Sequence, residues 1–325
     1  MMPESRKRLP EATAVRSTLS KHLIADGFQM VLDMERSQGA ILHDELTGQD
    51  FVDFFTFYAS NPLGMNHPGL RNDPAFKERL LDAAINKVSN SDVYTPHFAR
   101  FVETFGRVGI PEALPHAFFV SGGALAVENA LKVAFDWKVR KNFQKGYRAE
   151  RGTQVLHLEQ AFHGRSGYTM SLTNTDPNKT KYFPKFDWPR ILNPHCNGPE
   201  DRLDIEQREA LAIDQAKVYF QQHPDDIAAL ILEPIQGEGG DNHFRPRFLE
   251  QLRDLADEND ALLIFDEVQT GVGLTGTFWA YQGLGVTPGL LAFGKKSQVC
   301  GILAGRRIDE VPDNVFHVSS RINST

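Results

Sequence analysis

Short apolar runs, each ending in polar or glycine residues, set the rhythm of this chain from about residue 115. They are Ala117-Phe-Phe-Val120, Ala228-Ala-Leu-Ile-Leu232, Leu262-Leu-Ile-Phe265 and Gly289-Leu-Leu-Ala-Phe293, with Thr153-Gln-Val-Leu-His-Leu158 as a more mixed example. A short run without a polar alternate reads as a strand buried on both faces. Between these runs the period changes to that of a helix. Val127, Leu131, Ala134 and Trp137 share one face of a helix from Ala124 to about Val139, and Phe248, Leu252, Leu255 and Ala256 share one of 247–258. Strands alternating with helices predict an α/β domain with a largely parallel sheet. Further upstream, Gly39–His43, a turn at Asp44–Gly48 and Phe51–Phe54 predict a β-hairpin. Helices are expected near 74–86 and 97–107, the second with Phe98, Phe101, Val102 and Phe105 on one face. Asn61–Pro68 reads as a loop. Residues 1–19 are polar and expected to be poorly ordered. The Pro-rich stretch of roughly 172–205 is expected to run over the surface. The chain has no internal repeat.

The chemistry collects where the strands end. Ligands of open α/β sheets bind beyond the carboxyl ends of the strands. The run from Leu262 ends in Asp266 and Glu267, followed by Val268, Gln269 and glycines at 271 and 273. A carboxylate buried there needs a cation facing it. On an extended chain Glu267 points the other way, and it is assigned no catalytic role. Ser121-Gly-Gly-Ala124 joins a strand to a helix. Glycines admit a ligand close to the backbone, and the free N–H groups of a helix start suit a phosphate. The same turn also serves geometry alone, and it lacks the third glycine of a dinucleotide fingerprint. Gly294-Lys295-Lys296 follows another strand, and with Gly289 it comes near a P-loop. A P-loop is rejected, because Leu290–Phe293 is a buried strand and Lys296 stands where Ser or Thr would hold magnesium. A lysine leaving a buried strand suits Schiff-base chemistry, although a surface lysine is the commoner case. Arg165 offers a fork for a carboxylate or phosphate, or a salt bridge at a strand end. Glu238, among glycines, is either a solvated loop carboxylate or a partner for an arginine. His163 carries little weight as a catalyst. One ligand uses a phosphate cradle, a lysine and a buried aspartate on a single sheet. Pyridoxal 5'-phosphate has a phosphate for the N–H donors, an aldehyde for lysine and a pyridinium for Asp266.

Composition removes other classes. A net charge of −7 over 325 residues disfavours nucleic acid or an anionic membrane as the main partner. No run is long enough to span a bilayer, and no apolar segment follows the basic Arg6-Lys7-Arg8. Two cysteines exclude a disulfide framework and suit the cytoplasm. His195-Cys196 has no second pair of ligands at metal spacing, so no metal is expected.

The motif Leu263-Ile-Phe-Asp-Glu-Val-Gln-Thr-Gly271, with Gly294-Lys295 after it, resembles the class III aminotransferases of fold type I over about residues 20 to 325. Within that class, Gly294-Lys-Lys-Ser-Gln-Val-Cys-Gly301, Ala161-Phe-His-Gly-Arg-Ser-Gly-Tyr168 and Ser320-Arg-Ile-Asn-Ser-Thr325 are similar to the branch that acts on the ε-amino group of lysine. The resemblance implies a fold-type I pyridoxal-phosphate transferase: 1–75 as part of a small domain, 76–318 as the cofactor-binding large domain, and 319–325 as the start of a connection. It implies Lys295 as the Schiff-base lysine and proton carrier, and Asp266 on the pyridine nitrogen. Gln269 falls on the ring hydroxyl, Phe162 and Val268 on the ring faces, and Gly123 and Ala124 on the phosphate. Thr325 would reach the phosphate of a neighbouring subunit in a homodimer. Arg165 would bind a substrate carboxylate, with Glu238 as a switch near it. The implied reaction moves the ε-amino group of L-lysine to 2-oxoglutarate, giving glutamate and 2-aminoadipate 6-semialdehyde. Ornithine and 4-aminobutyrate aminotransferases share most of these residues and stay open as alternatives. The class continues beyond Thr325 into a C-terminal small domain with a second arginine. The chain as given is therefore expected to be poorly active, and an inactive chain retaining the fold is a further alternative.

Overall fold

The computed structural model describes residues 9–89, 92–196, 202–317 and 322. The chain divides into two compact units, one through Lys87 and one from Val88.

The first unit opens with a helix, Ala12–Leu19 (α1), where the polar sequence had predicted little order; none of its residues is buried. The strands Leu32–Gln38 (β1), Ile41–Asp44 (β2) and Asp50–Val52 (β3) form an antiparallel sheet in sequence order. The turn between β2 and β3 is fixed by Asp44. Its carboxylate accepts the Leu46 N–H at 3.1 Å and the Thr47 hydroxyl at 2.7 Å, the Asx-turn geometry this residue favours. Thr56–Ala59 (α2) and Pro68–Arg71 (α3) are single turns. Pro74–Ile85 (α4) starts where Asp73 accepts the Phe76 N–H at 3.0 Å and proline fills the first turn.

The second unit begins with Pro96–Val108 (α5), capped by Thr95 in the same manner. Its Phe101 and Phe105 rings meet Phe119 edge-on, and Phe105 stacks on Phe293 at 5.1 Å. Thereafter come His116–Val120 (β4), Gly123–Gln144 (α6), Gln154–Leu158 (β5), Thr169–Leu172 (α7), Arg190–Ile191 (β6) and Arg202–Gln222 (α8). Ile227–Leu232 (β7), Ile235–Gln236 (β8), Asn242–His243 (β9), Pro246–Glu258 (α9), Leu262–Glu267 (β10), Ala280–Leu284 (α10), Leu290–Phe293 (β11) and Cys300–Ala304 (β12) complete it. The main sheet has the order β4-β12-β11-β10-β7-β5-β6. It is parallel from β11 through β6, whereas β12 runs antiparallel to both β11 and β4.

Alternate residues of these strands enter two cores. Leu263, Phe265, Leu291 and Phe293 pack on the side of α8 and α9 with Phe220, Phe248 and Leu252. Leu262, Ile264, Leu290 and Ala292 pack on the side of α6 with Val127, Leu131 and Trp137. Successive strand residues face opposite ways. With both faces covered by helices, no polar alternate survives, and each large apolar side chain so buried contributes about 1.5–3 kcal/mol.

Besides α1, three features of the second unit depart from the expectation. The stretch 172–205 is not wholly superficial: Leu172 and Ile191 are fully buried, and β6 is the edge strand beside β5. The long helix α8 was not foreseen; its apolar positions are interleaved with charge over the whole length. The antiparallel strand β12 was not foreseen either, because Cys300-Gly-Ile-Leu-Ala304 follows its neighbour after a turn too short for a crossover helix.

Candidate active site

Strand β10 delivers two adjacent carboxylates to opposite faces. Asp266 is 4% exposed. Its Oδ1 accepts the Val268 N–H at 3.1 Å, and its Oδ2 lies 2.8 Å from Nδ1 of His163. Glu267 is fully buried on the other side, where it accepts the N–H groups of Ala280 at 2.6 Å and Tyr281 at 2.9 Å. That caps the start of α10, on the side of the strand away from Asp266. Burial pushes its carboxyl up to about 7.

The neighbouring strand β11 runs through Gly294 into Lys295. A Cβ at Gly294 would stand 2.7 Å from the Cys300 sulfur, so a side chain there would have to displace that of Cys300 on β12. Lys295 adopts φ +52, a left-handed conformation that costs a residue with a side chain about 1–2 kcal/mol. Such strain collects at functional positions. Its Nζ donates to Oε1 of Gln269 at 3.0 Å. Burial lowers the lysine's pKa, opposed by the charges of Asp266 and Glu233. A lysine shifted this way holds more of the neutral amine that acts as nucleophile and base.

Two further loops close the site. After β4, Gly122 takes φ +113 and α6 starts at Gly123 with no side-chain cap, leaving the first N–H groups of the helix uncapped by a side chain. A Cβ on Gly123 would meet Val268 Cγ1 at 2.9 Å. After β5, the Phe162 N–H donates to Glu233 Oε1 at 2.8 Å and the His163 N–H to Thr173 Oγ1 at 2.9 Å. Gly164, at φ +117, lies so close to α6 that a Cβ there would be 2.6 Å from that of Ala124.

Gly123, Ala124, Phe162, His163, Gly164, Arg165, Glu233, Asp266, Val268, Gln269 and Lys295 line one cavity of about 310 Å³. The structure thus brings together eight of the ten residues assigned to the site in the sequence, with His163 beside them; Arg165 is the exposed member. Glu238 is not among them. Its carboxylate pairs with the ammonium of Lys179 and accepts the Thr175 hydroxyl at 3.1 Å. The glycine loop that carries it is less free than its composition implied, because buried Gln236 bonds Asn193 and Asn242 beneath it at 2.7 and 2.8 Å. Thr325 lies outside the described residues.

Glu233, which no motif in the sequence marks, is 5% exposed and lines the cavity. Burial, with the Asp266 charge adding to it, pushes its carboxyl up to about 7. The signal was present: Glu233 ends an apolar strand as Asp266 does. His163 was underweighted, since its role depends on a contact with a residue distant in sequence. Among the described residues no cluster of His, Cys, Asp or Glu has the arrangement of a metal site.

Pyridoxal phosphate fits these residues on the structure's own terms. A buried carboxylate with a buried imidazole behind it, a lysine of lowered pKa and an uncapped helix start meet in one cavity. Nε2 of His163 is buried without a hydrogen-bond partner among the described residues, so the ring's hydrogen bond is that of Nδ1 to the carboxylate that faces the cavity. Fold and site together define a fold-type I pyridoxal-phosphate enzyme.

The chain belongs to the class III aminotransferase family, whose model matches residues 24–319. It is 60% identical over 311 residues to an L-lysine-epsilon aminotransferase of Mycobacterium tuberculosis, covering 96% of this chain and 69% of that protein. A second L-lysine-epsilon aminotransferase, from Amycolatopsis lactamdurans, is 56% identical over 318 residues, covering 97% and 70%. Among solved structures, the lysine aminotransferase from M. tuberculosis in the internal aldimine form superposes with a TM-score of 0.95 at 59% identity, covering 97% of this chain and 73% of that one.

Proposed function

We propose that this aminotransferase moves the ε-amino group of L-lysine to 2-oxoglutarate, yielding glutamate and 2-aminoadipate 6-semialdehyde. The observation that carries the reading is that exposed Arg165 lines the same cavity as Lys295 and Asp266. A terminal amine that must reach Lys295, on a substrate whose carboxylate is held by a guanidinium, matches an ω-amino acid. The identities of 54–60% to proteins named for lysine support that amine over other ω-amines.

When bound, the cofactor supplies the carbonyl that exchanges with the amine and a ring that withdraws electrons. The chain's own residues do the rest. The neutral amine of Lys295 takes a proton from the substrate carbon and returns it to the other side of the exchange. Asp266, held by His163 and the Val268 N–H, presents a fixed negative charge to a ring cation. The amide of Gln269 would contact the ring hydroxyl, and Phe162 and Val268 would cover its faces. The N–H groups of Gly123 and Ala124 would hold the phosphate. Glu238, here paired with Lys179, would act as a switch near Arg165 as the site takes its second substrate.

We further propose a homodimer, with Thr325 of one subunit serving the phosphate of the other, and 76–318 as the cofactor-binding domain. A chain with two cysteines in 325 residues suits a cytoplasmic setting. No helix among the described residues is long and apolar enough to cross a membrane.

The test is a half-reaction. The protein loaded with pyridoxal phosphate is mixed with L-lysine, L-ornithine or 4-aminobutyrate, and the visible cofactor band is followed. Lysine is expected to bleach it fastest, and 2-oxoglutarate to restore it. Faster bleaching by ornithine or 4-aminobutyrate overturns the assignment.

A further inference from the structure

The lysine next to Lys295 has no part in the chemistry above, yet it is the more buried of the two. Lys296 is 7% exposed, and its Nζ donates to the main-chain oxygen of Gln269 at 2.5 Å. No carboxylate lies within ion-pair distance of it among the described residues. A buried ammonium satisfied by a carbonyl is a costly arrangement for packing alone.

Geometry explains why both lysines reach the same residue. Neighbours on an extended chain point to opposite sides. Lys295 instead takes φ +52 and opens a short 3₁₀ turn, Lys295–Ser297. That turn aims both ammonium groups at Gln269, Lys295 at the side-chain oxygen and Lys296 at the backbone oxygen. Gln269 lies beyond the last residue of β10, so the sheet ladder no longer fixes its carbonyl. Its side chain is confined on another side by Gly237, where a Cβ would fall 2.5 Å from Nε2.

We propose that Lys296 is a positioning residue for the transamination. By holding the Gln269 carbonyl it fixes the Gln269 amide against Lys295, and it places a second positive charge beside the reacting lysine. The charged groups acting on Lys296 are Lys295, next in the chain, and Glu267 at the end of β10. Burial, followed by the charge of Lys295, lowers its pKa to about 8. A like charge on the adjoining residue, aimed at the same glutamine, disfavours protonation at Lys295. Removing it therefore raises the pH at which the Lys295–cofactor linkage loses its proton.

The inference rests on Lys295 as the cofactor lysine, and the experiment reports on each separately. Wild type, Lys296→Met and Lys296→Arg are loaded with pyridoxal phosphate. Borohydride reduction and peptide mass mapping come first. Label on Lys295 in all three supports the underlying reading, and label on Lys296 overturns both. The visible band is then titrated with pH. Lys296→Met is expected to raise the midpoint by about one unit and to slow the half-reaction with L-lysine about tenfold. Lys296→Arg, which keeps the charge, is expected to stay near the wild-type midpoint. If Lys296→Met does not fold, Lys296→Gln, uncharged and too short to reach the carbonyl, is expected to show the same rise. An unchanged midpoint in the uncharged variant, even with slower turnover, overturns the proposal, because a merely structural residue would slow the protein without moving its titration.

Discussion

The carboxylate of Asp266 and the imidazole of His163 are a buried pair, Oδ2 to Nδ1 at 2.8 Å, drawn from strand ends far apart in sequence. The imidazole fixes the orientation of the carboxylate that faces the cavity. His163→Ala leaves one oxygen of Asp266 without its partner, a loss on the order of 1–3 kcal/mol. Pyridoxal phosphate should then bind about 10- to 100-fold more weakly in an absorbance titration. Unaltered affinity would show that His163 does not support the cofactor carboxylate.

Lys295 combines a chemical role with a conformational cost. Lys295→Ala should abolish the visible band of the covalently attached cofactor and lower turnover about 10²- to 10⁴-fold. Lys295→Gly should lose the band equally but be more stable than the alanine variant by about 1 kcal/mol, since glycine accepts positive φ freely. Thermal melting of the two cofactor-free variants checks the order, and an alanine variant as stable as glycine contradicts the strain at φ +52.

The raised carboxyl of Glu233 links stability to pH with a definite sign. Its folded value of about 7 exceeds the ordinary 4.5, so the folded protein holds the proton more tightly than the unfolded chain. The contribution is complete below about pH 4.5 and is lost as pH rises through 7, amounting to about 3 kcal/mol at most. Glu233→Gln keeps the acceptor for the Phe162 N–H and removes the titration. Relative to wild type, it should therefore gain stability between pH 5 and pH 8 in denaturant midpoints. Parallel profiles for the two proteins would contradict this.

Glu267 titrates in the same range but answers to a different test. Glu267→Ala strips two buried N–H groups of α10 of their acceptor, at about 1–3 kcal/mol each. Melting should fall while the cofactor band of the folded protein stays. A band lost together with intact melting would move Glu267 into the active site.

The parts of this protein that were legible in the sequence are those where a local pattern states its own environment. The runs at 228–232, 262–265 and 290–293 are apolar throughout because helices cover both faces, and their ends expose Asp266 and Lys295 by position alone. What remained hidden depends on partners distant along the chain. β12 is recognisable as a strand only beside β4 and β11. The value of His163 is a bond to Asp266, and that of Glu233 is a bond to Phe162. Lys179 could not be identified as the partner of Glu238 without the folding of 172–188 over Phe162, whose ring centroid is 5.7 Å from its ammonium.

The order of the main sheet also bears on how the chain is made. β4 is the first strand of its unit to be synthesised, and among the described residues it sits at the sheet's edge with β12 as its one neighbour. A ribosome must therefore deliver every other strand of that sheet before Val120 can pair with Cys300. Until then β4, with its Phe118 and Phe119, is an open apolar edge of the sort that recruits other chains. Newly made protein is most exposed to aggregation during that interval, and a charge introduced on β4 would harm the yield of folded protein less than its cost in final stability suggests.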